Sequence, residues 1–452
     1  MNVEQAGLKI VRLLAQKSFQ VFFVGGIVRN TRLGLVSDNV DLATDATPNQ
    51  IEQILSKQKI KVKPVGKKFG SILAIVDEVP VEITTFRSEG RYSDNRHPDQ
   101  VEFIREYLAD AKRRDFTINA LYYDPIKKQL FDPTNGQKDL KAKILRFVGD
   151  PKRRIDEDAL RMLRGVRLAT QLGFKLEKNS FAAIKTRAKY IQGISGERIK
   201  AELDKILLSK NVILGMRLLQ KSGLLRFLSS ELDGLTKIFH HSKTYHLEGS
   251  VFEHSLLVLQ ALKLDHLALK YAALAHDVGK ISTGKKVFKP EGWVYSFKGH
   301  EAKSVEIFEE FASNLKFSRI DKEIVMKVIE LHDRKDKFFK ASTQEQVTYA
   351  MQDYFDLIID LWQADSVGNI SKPENDWYRK PRFEAYKLGV VLLKKIKSKA
   401  GLIATLAKGD LIMKLSHLKP GFQLGQRIQD VKVQIVLDKI KNERDLKEYL
   451  EN

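Results

Sequence analysis

The chain has 452 residues, of which 43% are apolar and 30% are charged, and its 78 basic residues exceed its 57 acidic residues by 21. This length predicts about two to four domains, each able to bury a core, and excludes disorder as the main state. No apolar run approaches the roughly 18 to 20 residues of a membrane span, and the amino terminus lacks a secretory signal pattern, so we expect a soluble, cytoplasmic protein that binds no membrane. The absence of cysteine excludes disulfides and cysteine-bound metals, and the positive charge favours nucleic acid as a partner.

The predicted elements change character along the chain. Up to about residue 125, short β-rich runs at 21–24, 71–76 and 81–86 alternate with helical patterns, such as 48–57, where Ile51 and Leu55 are four residues apart. From about residue 154 onward, amphipathic helices broken at glycine-containing turns predominate. Residues 283–298 interrupt them with a predicted loop or small hairpin. An α/β end followed by an all-α remainder is expected.

A glycine pair, Gly25 and Gly26, follows the first β-rich run, and Arg29 lies one turn into the next helical pattern. Glycines let backbone amides approach a phosphate closely, and arginine adds a forked donor for its oxygens. Glycine pairs also commonly serve only as turns, so this motif alone leaves both interpretations open.

Two later strand patterns carry polar side chains. An extended strand would place Asn39 and Asp41 on one face, where two side-chain oxygens can hold Mg²⁺ against a triphosphate. Glu82 stands among apolar and β-branched neighbours, either beside a cation or on an edge strand that faces water.

At this point the chain resembles a known family, the bacterial-type (class II) CCA-adding tRNA nucleotidyltransferases, which are related to poly(A) polymerases. The resemblance runs almost end to end. It is carried by GGIVRN (25–30), NVDLATDATP (39–48), VEITTFRSEGRYSDNRHPDQVEF (81–103), KRRDFTINAL (112–121), RIDEDALRMLRGVRLA (154–169) and ISGERIKAEL (194–203).

The resemblance implies an α+β fold: a nucleotidyltransferase head with a mixed β-sheet of the five-stranded type, then an all-α neck, body and tail that include an HD-type domain. The implied regions are a catalytic head at 1–145, a neck and body at 146–245, the HD-type domain at 246–372 and a tRNA-binding tail at 373–452. The implied reaction is template-independent addition of CCA to the 3′ end of tRNA from CTP and ATP with Mg²⁺. The acceptor end of tRNA is the implied macromolecular partner.

The resemblance also implies roles for individual residues. Asn39, Asp41 and Glu82 would be catalytic, with Asn39 and Asp41 holding Mg²⁺, and residues 87–98 would form the loop needed for the final A. The nucleotide-binding residues would be Gly25, Gly26, Arg29, Arg114, Asp115, Asn119, Asp158, Arg161, Arg164 and Arg167.

Asp158 and Arg161 would read the Watson–Crick edge of C or A. At about 100° per residue, a continuous helix would place Asp158, Arg161 and Arg164 on one side and its apolar neighbours on the other. Arginine offers paired donors and aspartate accepts from a base amine, whereas the alternative is an ordinary surface ion pair.

Two positions depart from the family pattern, since Asn30 and Asn39 stand where the family usually has Asp. Asn39 removes a negative charge, although an amide oxygen still coordinates more weakly. Three interpretations remain: an active enzyme with weaker metal binding, replacement by Asp38 through a bulge, or a tRNA-binding protein without catalysis. An enzyme that adds only A, or a poly(A) polymerase, is a further alternative.

A second pattern, His then His-Asp, His, His and Asp, lies in the predicted helices of the second half. It resembles the HD-type metal phosphohydrolases, and its residues are His254, His276, Asp277, His300, His332 and Asp365. Imidazole and carboxylate together suit a divalent transition metal such as Ni²⁺, Mn²⁺ or Co²⁺, and a metal-bound water is acidified for attack on a phosphoester. The sequence leaves open whether this region is catalytic or only shapes the tRNA-binding body.

Overall fold

The computed structural model describes residues 1–89, 101–239, 246–289, 292–372 and 376–451. It divides into two compact units, Met1–Leu228 and Ser229–Asn452. In the described ranges, none of the helices has the length and apolar character needed to span a membrane. The finer division into four regions stays a prediction. Of the loop expected at 87–98, positions 90–98 lie outside the described residues.

The first unit combines strands and helices. Its strands are β1 (Val21–Val24), β2 (Val40–Thr44), β3 (Lys61–Lys63), β4 (Ser71–Val76), β5 (Val79–Thr85), β6 (Arg87–Glu89), β7 (Val101–Phe103), β8 (Tyr122–Asp124), β9 (Gln129–Phe131), β10 (Ile144–Leu145) and β11 (Lys175–Leu176). Its α-helices are α1 (Val3–Ala15), α2 (Gly26–Leu33), α3 (Pro48–Lys57), α4 (Tyr107–Lys112), α5 (Gly136–Ala142), α6 (Pro151–Glu157), α7 (Leu160–Leu172), α8 (Lys178–Arg187), α9 (Gly196–Leu207), α10 (Val212–Lys221) and α11 (Leu224–Leu228). Short 3₁₀ turns span Lys67–Phe69, Thr117–Asn119 and Ala188–Gly193.

The main sheet has the strand order β3-β4-β5-β2-β1-β8-β9. Strands β2 and β5 are parallel, and every other neighbouring pair in this sheet is antiparallel. The expected mixed sheet is confirmed, but it has seven strands rather than five. One face is packed by Phe22, Phe86 and Tyr122, so the strand ends near Asp41 are held by a rigid core.

Local sequence explains where the first helices begin. Asn2 and Thr47 form capping boxes with Gln5 and Gln50, and these boxes satisfy amide groups that have no partner within the helix. Pro48 occupies the first turn of α3, where its missing N–H costs nothing. The predicted helix at 48–57 is confirmed.

The second unit is mostly helical. Its helices are α12 (Ser230–Gly234), α13 (Val251–Ala261), α14 (Leu267–Ala275), α15 (Lys280–Thr283), α16 (His300–Asn314), α17 (Arg319–Leu331), α18 (Lys335–Lys340), α19 (Thr343–Ala350), α20 (Phe355–Gly368), α21 (Asp376–Ser398), α22 (Ala400–Leu406), α23 (Gly409–Ser416), α24 (Phe422–Val436) and α25 (Glu443–Glu451), with a 3₁₀ turn at Leu235–Lys237. Strands β12 (Lys285–Lys289) and β13 (Gly292–Ser296) form the expected small hairpin. The last helices enclose a separate apolar cluster that includes Ile412, Val431, Ile435 and Leu446.

Candidate functional site

The first candidate site, called the head site here, lies where β1 ends and α2 begins, and contains Gly25, Asp41 and Glu82. Val24 is the register partner of Asp41, so Gly25 follows directly beside that carboxylate. Gly25 has φ = 69°, and a Cβ added there would lie 3.2 Å from Asp41 Oδ2. Glycine is therefore required both by the left-handed backbone and by the close approach. Gly26 opens α2, whose first amides have no partner within the helix.

Two carboxylates lie side by side at the head site. Asp41 and Glu82 are register partners on the parallel strands β2 and β5, so their side chains point to the same face. Burial and the neighbouring Glu82 raise the pKa of Asp41 to about 6. Glu82 is exposed, as the alternative interpretation expected, but its strand lies inside the sheet rather than at an edge. The adjacent like charges fit a cation between them.

Asn39 is placed less favourably than the sequence predicts. Strand β2 begins at Val40, so Asn39 lies just before the strand, and both Asn39 and Asp38 are exposed. In the described part of the chain, every cluster of three or more His or carboxylate groups with ligand atoms within 4.8 Å of one another lies in the second unit. The head site thus offers two close carboxylates.

A chain of polar contacts joins Arg29 to the neighbouring elements. Arg29 donates to Asn30 Oδ1 through Nε at 3.0 Å and Nη2 at 2.9 Å, and to Asn119 Oδ1 through Nη1 at 2.7 Å. Asn119 in turn donates to Asp115 at 3.2 Å, and Arg164 approaches the other oxygen of Asp115 at 2.6 Å. The structure therefore brings four of the predicted nucleotide-binding residues into one network.

Two further predicted arginines are held by internal partners. Arg114 donates to Tyr122 at 2.8 Å and to Asp110 at 3.3 Å; burial alone lowers the pKa of Arg114, but these two groups raise it above its ordinary value. Arg167 contacts Glu202 at 2.5 Å. Burial and the charge of Arg167 lower the pKa of Arg29 to about 10. These contacts fix the orientation of the Arg114 and Arg167 guanidinium groups.

The expected pairing of Asp158 with Arg161 on one helix is wrong. Helix α6 ends at Glu157, and Asp158 has an extended backbone with φ = −150°, because its carboxylate accepts from the amide of Leu160 at the start of α7. Asp158 instead contacts Arg198 at 2.8 Å, whereas Arg161 contacts Glu157 at 2.6 Å.

The second candidate site, called the histidine site here, unites all six residues of the predicted HD pattern. They come from five helix positions: His254 from α13, His276 and Asp277 from the end of α14, His300 from the start of α16, His332 from the end of α17 and Asp365 from α20. All six are buried. Gly279 permits this convergence, since a Cβ there would lie 2.3 Å from the backbone oxygen of His300.

The histidine rings are oriented by their Nδ1 atoms. His276, His300 and His332 each place Nδ1 within 3.0 Å of the carbonyl three residues earlier, and a carbonyl only accepts, so Nδ1 carries the proton. Their Nε2 lone pairs then face the centre of the site. His300 Nε2 and His332 Nε2 are 3.1 Å apart, so a proton or a metal ion must lie between them, and against the effect of burial Asp277 raises the pKa of His300. His276 Nε2 is buried, has no hydrogen-bond partner among the described residues, and lies 3.3 Å from Asp277 Oδ2. These donors fit a metal ion.

Carboxylates complete the donor set. Asp365 Oδ1 lies 2.9 Å from His254 Nε2, and Asp277 Oδ1 lies 3.1 Å from His300 Nε2. Although burial opposes ionisation, neighbouring imidazoles and lysines hold the pKa of both aspartates well below the usual range. Both aspartates are therefore ionised and can serve as anionic metal ligands.

Sequence reasoning missed His246 and Glu248. Glu248 Oε1 lies 2.9 Å from Nδ1 of both His246 and His254. Against the effect of burial, hydrogen bonds from these rings lower the pKa of Glu248 to about 2, and the carboxylates around His254 raise the pKa of that imidazole to about 9. The sequence could have indicated them through the spacing His246-x-Glu248, which comes just before His254, the first residue of the HD pattern.

Two buried lysines were also missed. Lys280 contacts Asp277 at 2.6 Å, three residues along the chain, and Lys335 contacts Asp365. Both line a cavity of about 420 Å³ that also includes Lys298 and Arg382. Cations around an open cavity beside a metal donor set suit a phosphate-bearing ligand.

Family models match three parts of the chain. Residues 21–146 match the "Poly A polymerase head domain", 173–235 the "Probable RNA and SrmB- binding site of polymerase A" and 251–361 the "HD domain".

Individual proteins similar to this chain are CCA-adding enzymes. The chain is 34% identical over 299 residues to a CCA-adding enzyme of Bacillus pumilus, covering 62% of this chain and 73% of that protein. It is 44% identical over 225 residues to a CCA-adding enzyme of Ligilactobacillus salivarius, covering 50% and 52%. The chain spans about half the length of most of the curated relatives it matches.

Solved structures share the fold. The structure of the Bacillus stearothermophilus CCA-adding enzyme in complex with CTP superposes with a TM-score of 0.69 at 23% identity, over 99% of this chain and 96% of that one. The Thermotoga maritima CCA-adding enzyme complexed with tRNA gives a TM-score of 0.59 at 16% identity, over 100% and 98%.

Proposed function

This chain belongs to the family of CCA-adding enzymes, and we propose that it adds CCA to the 3′ end of tRNA in the cytoplasm, using CTP and ATP with Mg²⁺. The observation that carries the proposal is the head site: two adjacent carboxylates, Asp41 and Glu82, beside the left-handed Gly25 at the opening of a helix. The similarity to CCA-adding enzymes, one of them solved in complex with CTP, supports the proposal.

Each part of the head site has a defined task in this reaction. Asp41 and Glu82 would hold Mg²⁺, which when bound makes the tRNA 3′-hydroxyl more acidic and balances triphosphate charge. The backbone at Gly25 and Gly26 and the guanidinium of Arg29 would position the triphosphate. The contacts of Arg29 with Asn30 and Asn119 hold it in place before the nucleotide arrives.

Base selection would use Asp158 and Arg161 separately rather than as a mutual pair. In the structure Asp158 is held by Arg198 and Arg161 by Glu157. A base edge offering an amine to Asp158 and acceptors to Arg161 would exchange with these partners.

Because Asn39 stands where the family usually has Asp, other functions for the head site also need to be tested. An exposed amide before β2 is a weaker ligand than a carboxylate, so the chain would need more Mg²⁺ or would lack catalysis. The alternatives to CCA addition are an A-adding enzyme, a poly(A) polymerase and a tRNA-binding protein without catalysis, and each would yield different products. Extension of a tRNA lacking CCA, with CTP alone, ATP alone and both, separates them. Two added nucleotides with CTP and a third only with ATP support CCA addition.

We propose a second function for the histidine site, hydrolysis of phosphoesters with Ni²⁺, Mn²⁺ or Co²⁺. The carrying observation is the convergence of buried imidazole and carboxylate ligand atoms in two overlapping groups, one of His254, His276 and Asp365 and one of His276, Asp277 and His332. Lys280 and Lys335 would bind substrate phosphate oxygens. Metal depletion followed by addition of each ion, with cleavage of a 2′,3′-cyclic nucleotide as readout, tests it. If no ion binds and nothing is cleaved, the proposal fails.

A further inference from the structure

The β12–β13 hairpin carries exposed aromatic side chains on one face. Phe288 pairs with Trp293 and Lys286 with Tyr295 across the two strands, so these four side chains share one face, called the aromatic face here. Phe288 is 70% exposed, Trp293 58% and Tyr295 39%, whereas Val294 on the opposite face is only 4% exposed. The hairpin is thus anchored by one face and presents its rings on the other.

The aromatic face combines flat rings with positive charge. The rings of Phe288 and Trp293 are 5.3 Å apart at 68°, and Lys286 Nζ lies 5.2 Å from the centre of the Trp293 ring. Lys285 is also exposed, but its position on the strand places it on the opposite face. Exposed rings beside a lysine suit a single-stranded nucleic acid, because bases stack on the rings while a phosphate pairs with the cation.

The hairpin leads directly into the histidine site. Strand β13 ends at Ser296, and the next residues, Phe297 to His300, line the cavity of about 420 Å³. Lys298 lies at this junction and lines the cavity. The chain therefore passes from the hairpin into the wall of the cavity that holds the metal donors within four residues of Ser296.

We propose that the aromatic face binds the single-stranded end of an RNA chain and directs its terminal phosphate to the histidine site. The substrate of the second function would then be an RNA end rather than a free mononucleotide. The directing step rests on the proposed phosphohydrolase function, whereas binding at the hairpin needs no metal. The excess of 21 basic residues over acidic ones favours this polyanionic occupant over a second copy of the chain, which carries the same charge.

Tryptophan fluorescence of the full chain tests binding directly. The chain has three tryptophans, and the signal of Trp293 is the difference between the natural protein and Trp293→Phe, which keeps a ring for stacking. Titration with hexauridylate in the presence of EDTA is expected to quench that difference signal. Phe288→Ala should raise the dissociation constant about tenfold or more, since each stacked base contributes at this level. Lys286→Gln should reduce the salt dependence by about 0.7 in log–log slope.

Ile320→Ala is the matched control, because Ile320 is 65% exposed on α17 of the same unit and no role is assigned to it. Circular dichroism verifies that each variant folds. Absence of quenching at Trp293, or equal affinities for Phe288→Ala and Ile320→Ala, would overturn the proposal. Fluorescence that changes with protein concentration alone would overturn it as well, by indicating a second copy as the occupant.

Hydrolysis kinetics separate this inference from the proposed function. With metal bound, Phe288→Ala should raise KM for a hexanucleotide with a terminal cyclic phosphate about tenfold and leave KM for the cyclic mononucleotide unchanged. Equal changes for both substrates would overturn the directing step. Quenching at Trp293 without hydrolysis of either substrate would refute the phosphohydrolase function and the directing step, while supporting RNA binding at the hairpin.

Discussion

Glu248 offers the sharpest test of how the histidine site binds metal. Its Oε1 atom lies 2.9 Å from His254 Nδ1, so it holds the proton on that atom and turns Nε2 towards Asp365. Loss of such an outer partner typically costs about 10- to 100-fold in metal affinity, which is roughly 1.4 to 2.7 kcal/mol. Glu248→Gln keeps an oxygen acceptor but loses the charge, so we expect a loss near tenfold. Glu248→Ala removes the acceptor as well, so the expected loss is nearer 100-fold.

The assay is calorimetric titration of the metal-depleted protein with Mn²⁺ or Ni²⁺. Glu306→Gln on α16 is the matched control, since Glu306 is 69% exposed and pairs only with Lys303 among the described ion pairs. Thermal unfolding of the metal-free variants measures any structural effect separately, because Glu248 also accepts from the amide of Ile370 at 2.9 Å. An affinity of Glu248→Ala within twofold of the natural protein would refute the reasoning.

Three further predictions concern the first unit. Asn39→Asp should lower the Mg²⁺ concentration at half-maximal tRNA extension, because it adds a carboxylate two residues before Asp41, where the family pattern usually has Asp; Asp38→Asn tests the alternative ligand, and an unchanged midpoint for Asn39→Asp would argue against ligation at position 39. Gly25→Ala should reduce extension strongly and cost about 1 to 2 kcal/mol of unfolding free energy, since Gly25 has φ = 69° and its Cβ would crowd Asp41, as denaturant titration can show. Asp110→Asn should destabilise the fold by about 3 to 5 kcal/mol, because it leaves buried arginines without their partner. The arginine partners of Asp110 lower its pKa against the effect of burial. Its contribution to the free energy of unfolding is therefore complete above the ordinary carboxyl pKa and is lost as the pH falls through the lower pKa of the folded state. Equal loss of stability in acid for the variant and the natural protein would contradict this.

The histidine site was the most predictable part of the molecule. Few side chains bind transition metals, so the order of His and Asp residues carried the information. The structure brings five of the six into overlapping groups of ligand atoms, and His300 joins them through its contacts with His332 and Asp277. Glu248 was missed because it contacts ring nitrogens rather than the metal position. Lys335 was missed because its contact with Asp365 joins residues 30 positions apart, which no local pattern reveals.

The region around Asp158 was less predictable. Helical counting treated residues 154–169 as continuous, yet the carboxylate of Asp158 bonds the amide of Leu160 and ends the first helix. Aspartate competes in this way with the helical backbone, and such local capping overrides periodicity. Because the helix is interrupted at Asp158, Asp158 pairs with Arg198 and Arg161 pairs with Glu157.

The sheet shows a similar limit. Strands β3, β8 and β9 have three residues each, too short for alternation to be seen in the sequence, and with them the sheet has seven strands. The expected place of Asn39 within the strand differs from the structure for a related reason, since the position where β2 begins depends on its pairing with β5, whose register starts at Val40 and Val81.

The central claim is that the head site adds nucleotides to tRNA, and one measurement tests it most directly. A tRNA lacking its 3′ CCA is incubated with the full chain over a Mg²⁺ series, with CTP, ATP or both, and the products are resolved to single nucleotides. The account predicts growth by two nucleotides with CTP and by a third only when ATP is also present, and loss of growth in Asp41→Ala. No growth at any Mg²⁺ concentration, although the tRNA binds, would contradict it.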